Sequence, residues 1–137
     1  MPNGLVRQGG KEVKKVHILI CDDELGVRDS LRLILGDRYL LAFAKNGQEA
    51  VEYAKTHDVD VAIMDVKMPK MGGLDALPQL KKIRPRIQIL MATGYESSDV
   101  ATQAINLGAD DYIVKPFDRD KVLAKIQAFC GKLSVDK

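Results

Sequence analysis

Four short apolar runs in this chain each stop abruptly at a polar group. Val16 to Cys21 runs into Asp22-Asp23, Val59 to Met64 into Asp65, Ile87 to Ala92 into Thr93-Gly94, and Tyr112 to Val114 into Lys115-Pro116. Runs this short and rich in β-formers read as buried strands. Their nearly continuous apolar character is what a parallel sheet covered on both faces requires. If the strands are parallel, their carboxyl ends share one edge, where open α/β sheets bind ligands. Three carboxylates, a hydroxyl and an ammonium would then converge, and Asp65, followed at once by Pro69 and Gly72-Gly73, is the foremost candidate for chemistry.

The intervening stretches carry a helical period. From Glu24 to Leu35 the positions Val27, Leu31, Ile34 and Leu35 form one buried stripe that stops at Gly36. Asp22, Asp23 and Glu24 at its start also complement the positive end of the helix dipole. Tyr39 to Ala44 is a further strand with no polar terminus, expected at the edge and away from the site. Asn46-Gly47-Gln48-Glu49 has the form of a capped helix start, with Gly47, Ala50, Val51 and Ala54 inward up to Thr56. Gly73 to Ile83 places Leu74, Leu77 and Leu80 toward the core, and Pro78 inside it is expected to shorten or kink the helix. Ser97 to Leu107 follows, with Gly108 as its C-cap. Asp118 caps a last helix facing inward through Val122, Ile126, Phe129 and Cys130. Five alternations of strand and helix predict an α/β fold, a parallel sheet with helices on both faces and right-handed crossovers.

With 137 residues, 46 % hydrophobic, the chain holds one domain with a real core. The expected divisions are a flexible leader over residues 1–15 without strand or helical period, a domain over 16–131 and a tail over 132–137. A formal charge of +2, from 21 basic and 19 acidic residues, argues against a nucleic-acid or membrane-binding face. The start lacks the apolar core of a signal peptide and no later run approaches a membrane span, so a cytoplasmic protein is expected. Cys21 and Cys130 have neither metal-ligand spacing nor the density of a disulfide scaffold, and read as small buried apolar residues. His17 reads as a packed strand residue, and His57 as exposed and idle. Lys81, Lys82, Arg84 and Arg86 read as a solvated helix end.

Carboxylates held close together either take up protons or hold a cation. Oxygen ligands without His or Cys favour Mg²⁺ or its neighbour Mn²⁺, and Mg²⁺ typically shares a phosphate with the protein. Lys115 offers a point positive charge and Thr93 a hydroxyl donor for phosphoryl oxygens, leaving Asp65 to attack phosphorus. Neither a P-loop nor a dinucleotide glycine fingerprint is present.

Together, Ile20-Cys21-Asp22-Asp23-Glu24, Ile63-Met64-Asp65 with Met68-Pro69 and Gly72-Gly73, Ala92-Thr93-Gly94, and Gly108-Ala109-Asp110-Asp111-Tyr112 with Lys115-Pro116-Phe117 resemble the receiver domain of bacterial two-component response regulators, from Val16 to about Gly131. The resemblance implies a flavodoxin-like, doubly wound five-stranded sheet of order 2-1-3-4-5 with five flanking helices. It implies that Asp65 accepts a phosphoryl group from a sensor histidine kinase or histidine phosphotransfer protein. Asp23, Asp65 and the backbone carbonyl of Lys67 would hold Mg²⁺, with Asp22 acting largely through water. Lys115 and Thr93 would contact the phosphoryl group. Thr93 and Tyr112 would be a switch pair that alters the face of the fourth helix, fifth strand and fifth helix. The Lys115-Pro116 bond would be cis. Such a chain is a switch in phosphorelay signal transduction, not an enzyme with an external substrate, and its output is either a downstream effector or a domain beyond this chain.

Lys67 and Tyr95, two residues beyond Asp65 and Thr93, stand where this family varies and are expected to set the lifetime of the acyl phosphate. A Mg²⁺-dependent phosphatase with an aspartyl-phosphate intermediate is the competing reading. Such enzymes usually carry a second Asp where this chain has Lys67, and need a substrate cap for which little chain remains. A flavin-binding module on the same fold would need a phosphate loop after the first strand, where Asp22-Asp23-Glu24 would repel it.

Overall fold

The computed structural model describes residues 5–8, 11–94 and 98–135. Its first two strands, β1 (Leu5–Gln8) and β2 (Lys11–Lys14), pair antiparallel with Val6 opposite Val13. This hairpin lies within the stretch expected to lack a strand period. Its signal was the Gly9-Gly10 pair between two very short runs, a hairpin signature that a periodicity count over so few residues misses.

The main sheet contains β3 (His17–Cys21), β4 (Leu40–Ala44), β5 (Val61–Asp65), β6 (Gln88–Thr93) and β7 (Asp111–Val114), all parallel, in the order β4-β3-β5-β6-β7. Counted within that sheet alone, the order is 2-1-3-4-5, the flavodoxin-like arrangement, and the polar-ended strands do share one edge. β4 is an edge strand, as its plain terminus suggested. β3, β5 and β6 start one or two residues later than the apolar runs, at His17, Val61 and Gln88, with Val16, Val59 and Ile87 packed against the core just before them.

Five helices cover it: α1 (Leu25–Leu35), α2 (Gly47–Thr56), α3 (Gly73–Ile83), α4 (Ser98–Asn106) and α5 (Arg119–Val135). Alternate strand residues point to opposite faces, so Leu19, Ala62, Met64, Ile89 and Met91 meet Ala50, Ala54, Leu77, Leu80 and Ala104 of α2, α3 and α4. On the other face Ile18, Ile20, Val61, Ile63, Leu90 and Ala92 meet Leu31 and Leu35 of α1 and Val122, Ile126 and Phe129 of α5.

The predicted caps form. Asn46 Oδ1 accepts the Glu49 N–H at 2.8 Å while Glu49 Oε1 accepts the Lys45 N–H at 2.9 Å. Asp118 Oδ1 accepts the Asp120 N–H at 2.9 Å, and α5 then runs on through Gly131 to Val135. α3 is neither broken nor shortened at Pro78. The proline is exposed, while Ala76, Leu77 and Leu80 are fully buried, so the packed side holds the helix across the one missing amide bond.

His17 is buried, with Nε2 2.8 Å from the Tyr53 hydroxyl. His57 is not idle. It is half-buried, stacked on the Tyr53 ring at 3.9 Å between centroids, with Nδ1 2.9 Å from Thr56 Oγ1.

Gly73, the first residue of α3, marks the tightest approach under the site. A Cβ there would overlap the Asp65 carbonyl and come within 2.8 Å of Met91 Cε, whereas one on Gly131 would meet nothing within 4 Å. Gly73→Ala should therefore lower stability by about 1–3 kcal/mol, the usual cost of overpacking. Gly131→Ala, inside α5, should raise it by roughly 0.5–1 kcal/mol through helix propensity. Urea midpoints read both, and equal shifts would contradict the packing described.

Candidate functional site

The site forms where β3, β5, β6 and β7 end. Beyond Cys21 the ladder continues for one bond, Asp22 N–H to the Ala44 carbonyl at 3.0 Å, and the chain then turns into α1. Asp22 makes that turn itself, its Oδ1 accepting the Glu24 N–H at 2.9 Å. Asp65 is the last residue of β5, in register with Ala92. The next amide, Val66 N–H, reaches the Ala92 carbonyl at 3.0 Å, and Gly73 N–H returns to the Val66 carbonyl at 3.0 Å. This closes the loop that presents Asp65. Thr93 ends β6 opposite Val114, and the Lys115 N–H bonds the Thr93 carbonyl at 2.8 Å. The Lys115-Pro116 peptide is cis, as expected.

Carboxylate oxygens of Asp22, Asp23 and Asp65 all lie within 4.8 Å of one another. Lys115 Nζ stands 2.7 Å from Asp22 Oδ2 and 3.4 Å from Asp65 Oδ1. Asp22, Asp65 and Thr93 are buried, at 2 %, 7 % and 5 % exposure, while Asp23 is exposed. Asp23, Asp65, Thr93 and Lys115, together with Glu24, Lys67 and Val100, line an open cleft of about 600 Å³.

The electrostatics follow from that crowding. Burial raises the Asp65 pKa first, and the neighbouring Asp22 charge raises it further. Lys115 and the Lys67 backbone N–H work against both without cancelling them. Burial alone would lower the Lys115 pKa, but its bonds to Asp22 and Asp65 outweigh it, so the value is raised and the ammonium is kept. One ammonium against three carboxylates leaves the rim short of positive charge. The set is oxygen-only, with the Asp23 carboxylate open to the cleft, which suits a hard divalent cation.

Of the predicted residues, Asp22, Asp23, Asp65, Lys67, Thr93 and Lys115 come together. Tyr112 does not line this cleft. It is 42 % exposed on β7 and lines a separate groove with Pro116, Asp118, Lys121 and Lys125, of which Lys115 is the shared wall. Tyr95 lies outside the described residues. Arg28 went unnoticed in the sequence, where it is one charge on the polar side of α1. It folds back from the first turns of that helix and donates from Nη1 to the Asp22 carbonyl at 2.7 Å. The available signal was a basic residue about one turn beyond an acidic loop.

Known proteins resemble this chain in sequence and in fold. The sequence profile of the response regulator receiver domain matches residues 18–127. Chemotaxis protein CheY of Bacillus subtilis is 39 % identical over 112 residues, covering 80 % of this chain and 93 % of that protein. A CheY-like receiver domain protein from Methanospirillum hungatei superposes with a TM-score of 0.85 at 30 % identity, over 90 % of this chain and all of that one. A response regulator from Burkholderia pseudomallei, solved with a phosphorylated aspartic acid, calcium ion and citrate, superposes at 0.76 with 29 % identity, over 88 % of this chain and 72 % of that one. The chain spans a quarter of one curated transcriptional regulator that it matches and about half of others. From the profile, the identity and the shared fold, this chain belongs to the receiver domain family of two-component response regulators.

Proposed function

We propose that Asp65 is the phosphoacceptor of a signalling switch, with a phosphohistidine on a sensor histidine kinase or phosphotransfer protein as donor. The observation that carries this is the placement of a buried carboxylate between one ammonium and two further acids at the mouth of an open cleft. In the transfer, an Asp65 oxygen forms a bond to phosphorus as the phosphorus–nitrogen bond to the donor imidazole breaks, and the imidazole takes up a proton. Asp65 is held at a strand end and needs little reorganisation. Lys115 stays protonated and meets the charge on the peripheral oxygens, and Thr93 offers its hydroxyl on the same side. The residues fitted to hold Mg²⁺, or Mn²⁺ in its place, are Asp23, Asp65 and the Lys67 carbonyl, with Asp22 acting through water. When bound, the ion offsets the repulsion between a carboxylate and an anionic phosphoryl group.

The switch pair on this reading is Thr93 and Tyr112. Thr93 is drawn toward the phosphoryl group, and Tyr112 moves inward from its exposed position, changing the surface of α4, β7 and α5. Phosphorylation shifts that population only by the difference in phosphoryl binding between the two arrangements. The receiver unit comprises residues 16–131, its output is an effector or a domain beyond this chain, and its place is the cytoplasm. Among the described residues no helix is long and apolar enough to cross a membrane.

Incubation with Mg²⁺ and a small acyl-phosphate donor should add one phosphoryl group that hydroxylamine removes. Asp65→Asn should take up none, and phosphate found instead on another residue would refute the assignment. On this reading Lys67, exposed just beyond the acceptor, and Tyr95, two residues beyond Thr93 in the sequence, set the lifetime of the acyl phosphate. Lys67→Asn and Tyr95→Ala should each change the dephosphorylation rate severalfold, and unchanged rates would remove them as lifetime determinants.

The raised Asp65 pKa has a thermodynamic counterpart. Its folded value exceeds the unfolded one, so the native state binds more protons between the two and stability falls as pH rises through that window. Without divalent cation, Asp65→Asn should melt about 4 °C above the parent at pH 7, a shift of the size that about 1 kcal/mol gives. That advantage should fade as pH falls through the raised folded-state value toward the ordinary carboxylate range, as the carboxylate becomes protonated. Mg²⁺ should raise the parent's midpoint and not the variant's. A variant less stable at pH 7 would contradict the charge argument.

A further inference from the structure

We propose that Arg28 is a positioning residue for Asp23 and, through it, for the divalent cation. The inference rests on the reading of Asp23 and Asp65 as cation ligands. The three acids are not held alike. Asp22 is gripped at both oxygens, Oδ1 by the Glu24 N–H at 2.9 Å and Oδ2 by Lys115 at 2.7 Å. Asp65 faces Lys115 at 3.4 Å and receives the Lys67 N–H. The exposed Asp23 carboxylate meets no hydrogen-bond donor among the described residues. Its aim is therefore set by the backbone that carries it.

Both peptide groups flanking Asp23 are tied down. The one before it presents the Asp22 carbonyl, which accepts from Arg28 Nη1 at 2.7 Å. The one after it presents the Glu24 N–H, which donates to Asp22 Oδ1. Asp22 thus fixes one side and Arg28 the other. Arg28 can do this because it sits in the early part of α1, half-buried, and its planar fork reaches back over the loop. A donor behind a ligand is worth about 10- to 100-fold in metal affinity when it fixes that ligand's orientation.

Charge alone predicts the opposite. A guanidinium beside an acidic cluster opposes a dication, so its removal should tighten binding. The sign of the effect therefore separates positioning from simple repulsion.

Mn²⁺ titration of the unphosphorylated chain, followed by loss of the free-ion electron paramagnetic resonance signal and competed with Mg²⁺, reads this directly. Arg28→Met keeps the aliphatic stem and helix propensity but removes the donors. It should weaken binding about 10-fold, while Arg28→Lys, which can still donate to the Asp22 carbonyl, should recover most of the loss. The Mg²⁺ concentration giving half-maximal phosphorylation should rise by the same factor. Melting of each variant without cation shows that the fold is kept. If Arg28→Met binds as well as the parent or more tightly, the positioning role is overturned while the cation site stands. If the parent itself binds no Mn²⁺, or Asp23→Asn binds as well as the parent, the cation-ligand reading fails and takes this inference with it.

Discussion

The structure turns on an imbalance of charge: three carboxylates within 4.8 Å of one another, with a single ammonium between two of them. The topology explains how the chain tolerates it. β3 and β5 are neighbours, but the helices that follow them leave to opposite faces, α1 with α5 and α3 with α2 and α4. A crevice must open between those departures, at the point where the strand order reverses. Asp22 and Asp65 stand at its floor and Asp23 at its solvent side, so the acids are close together yet reachable by water or a cation. On an uninterrupted succession of strands they would be either buried together or spread apart.

Beneath that rim the packing leaves little slack. Gly73 brings the start of α3 against the Asp65 carbonyl, and Gly47 N–H bonds the Met71 carbonyl at 2.7 Å, stapling α2 to the loop after Asp65. Cys21 Sγ lies 3.1 Å from the Asn46 carbonyl and 3.4 Å from Met68 Sδ, and burial holds its thiol pKa far up. It is a packing and hydrogen-bonding group under the loop, inert as a nucleophile. The energetic cost of crowding the acids is thus borne by a well-packed sheet.

Much of this was legible in the chain because strand ends are written in one dimension. A run such as Ala62-Ile63-Met64 stopping at Asp65 states both the strand and the position of its terminal side chain, and four such runs in a parallel sheet give the converging set without coordinates. What stayed hidden depends on side-chain reach and direction. Arg28 on the polar side of α1 looks like any solvated charge until its guanidinium is seen to fold back onto Asp22. Tyr53 and His57 are four residues apart at a helix end, a spacing that allows stacking, but His17 joins them only because β3 passes underneath. Pro78 misled because the local cost of a missing amide bond is known from sequence, whereas the burial of Leu77 and Leu80 that outweighs it is tertiary. Tyr112 was grouped with Thr93 by family resemblance, and its exposure on β7 is set by its strand parity beside the buried Ile113.

That parity bears on how the two clefts relate. Lys115 follows β7 directly, so its ammonium belongs to the acid cleft while its wall and Pro116 belong to the groove lined by Tyr112, Asp118 and Lys121. Its own amide is bonded to the Thr93 carbonyl, at the end of the neighbouring strand. From the acid pair to Tyr112 the path is therefore one ion pair and three residues of a single strand, with no loop in between. Such a path is short, and its backbone part is held in the sheet by the pairing of β7 with β6. On the proposed reading, adding a dianionic phosphoryl group to Asp65 gives Lys115 a stronger partner than the carboxylates it now meets, and Tyr112, three residues before it in the chain, feels the difference. On that same reading the magnitude of the response is bounded by the differential attraction, and the excess of negative charge that burdens the fold is also what the proposed switch would draw on.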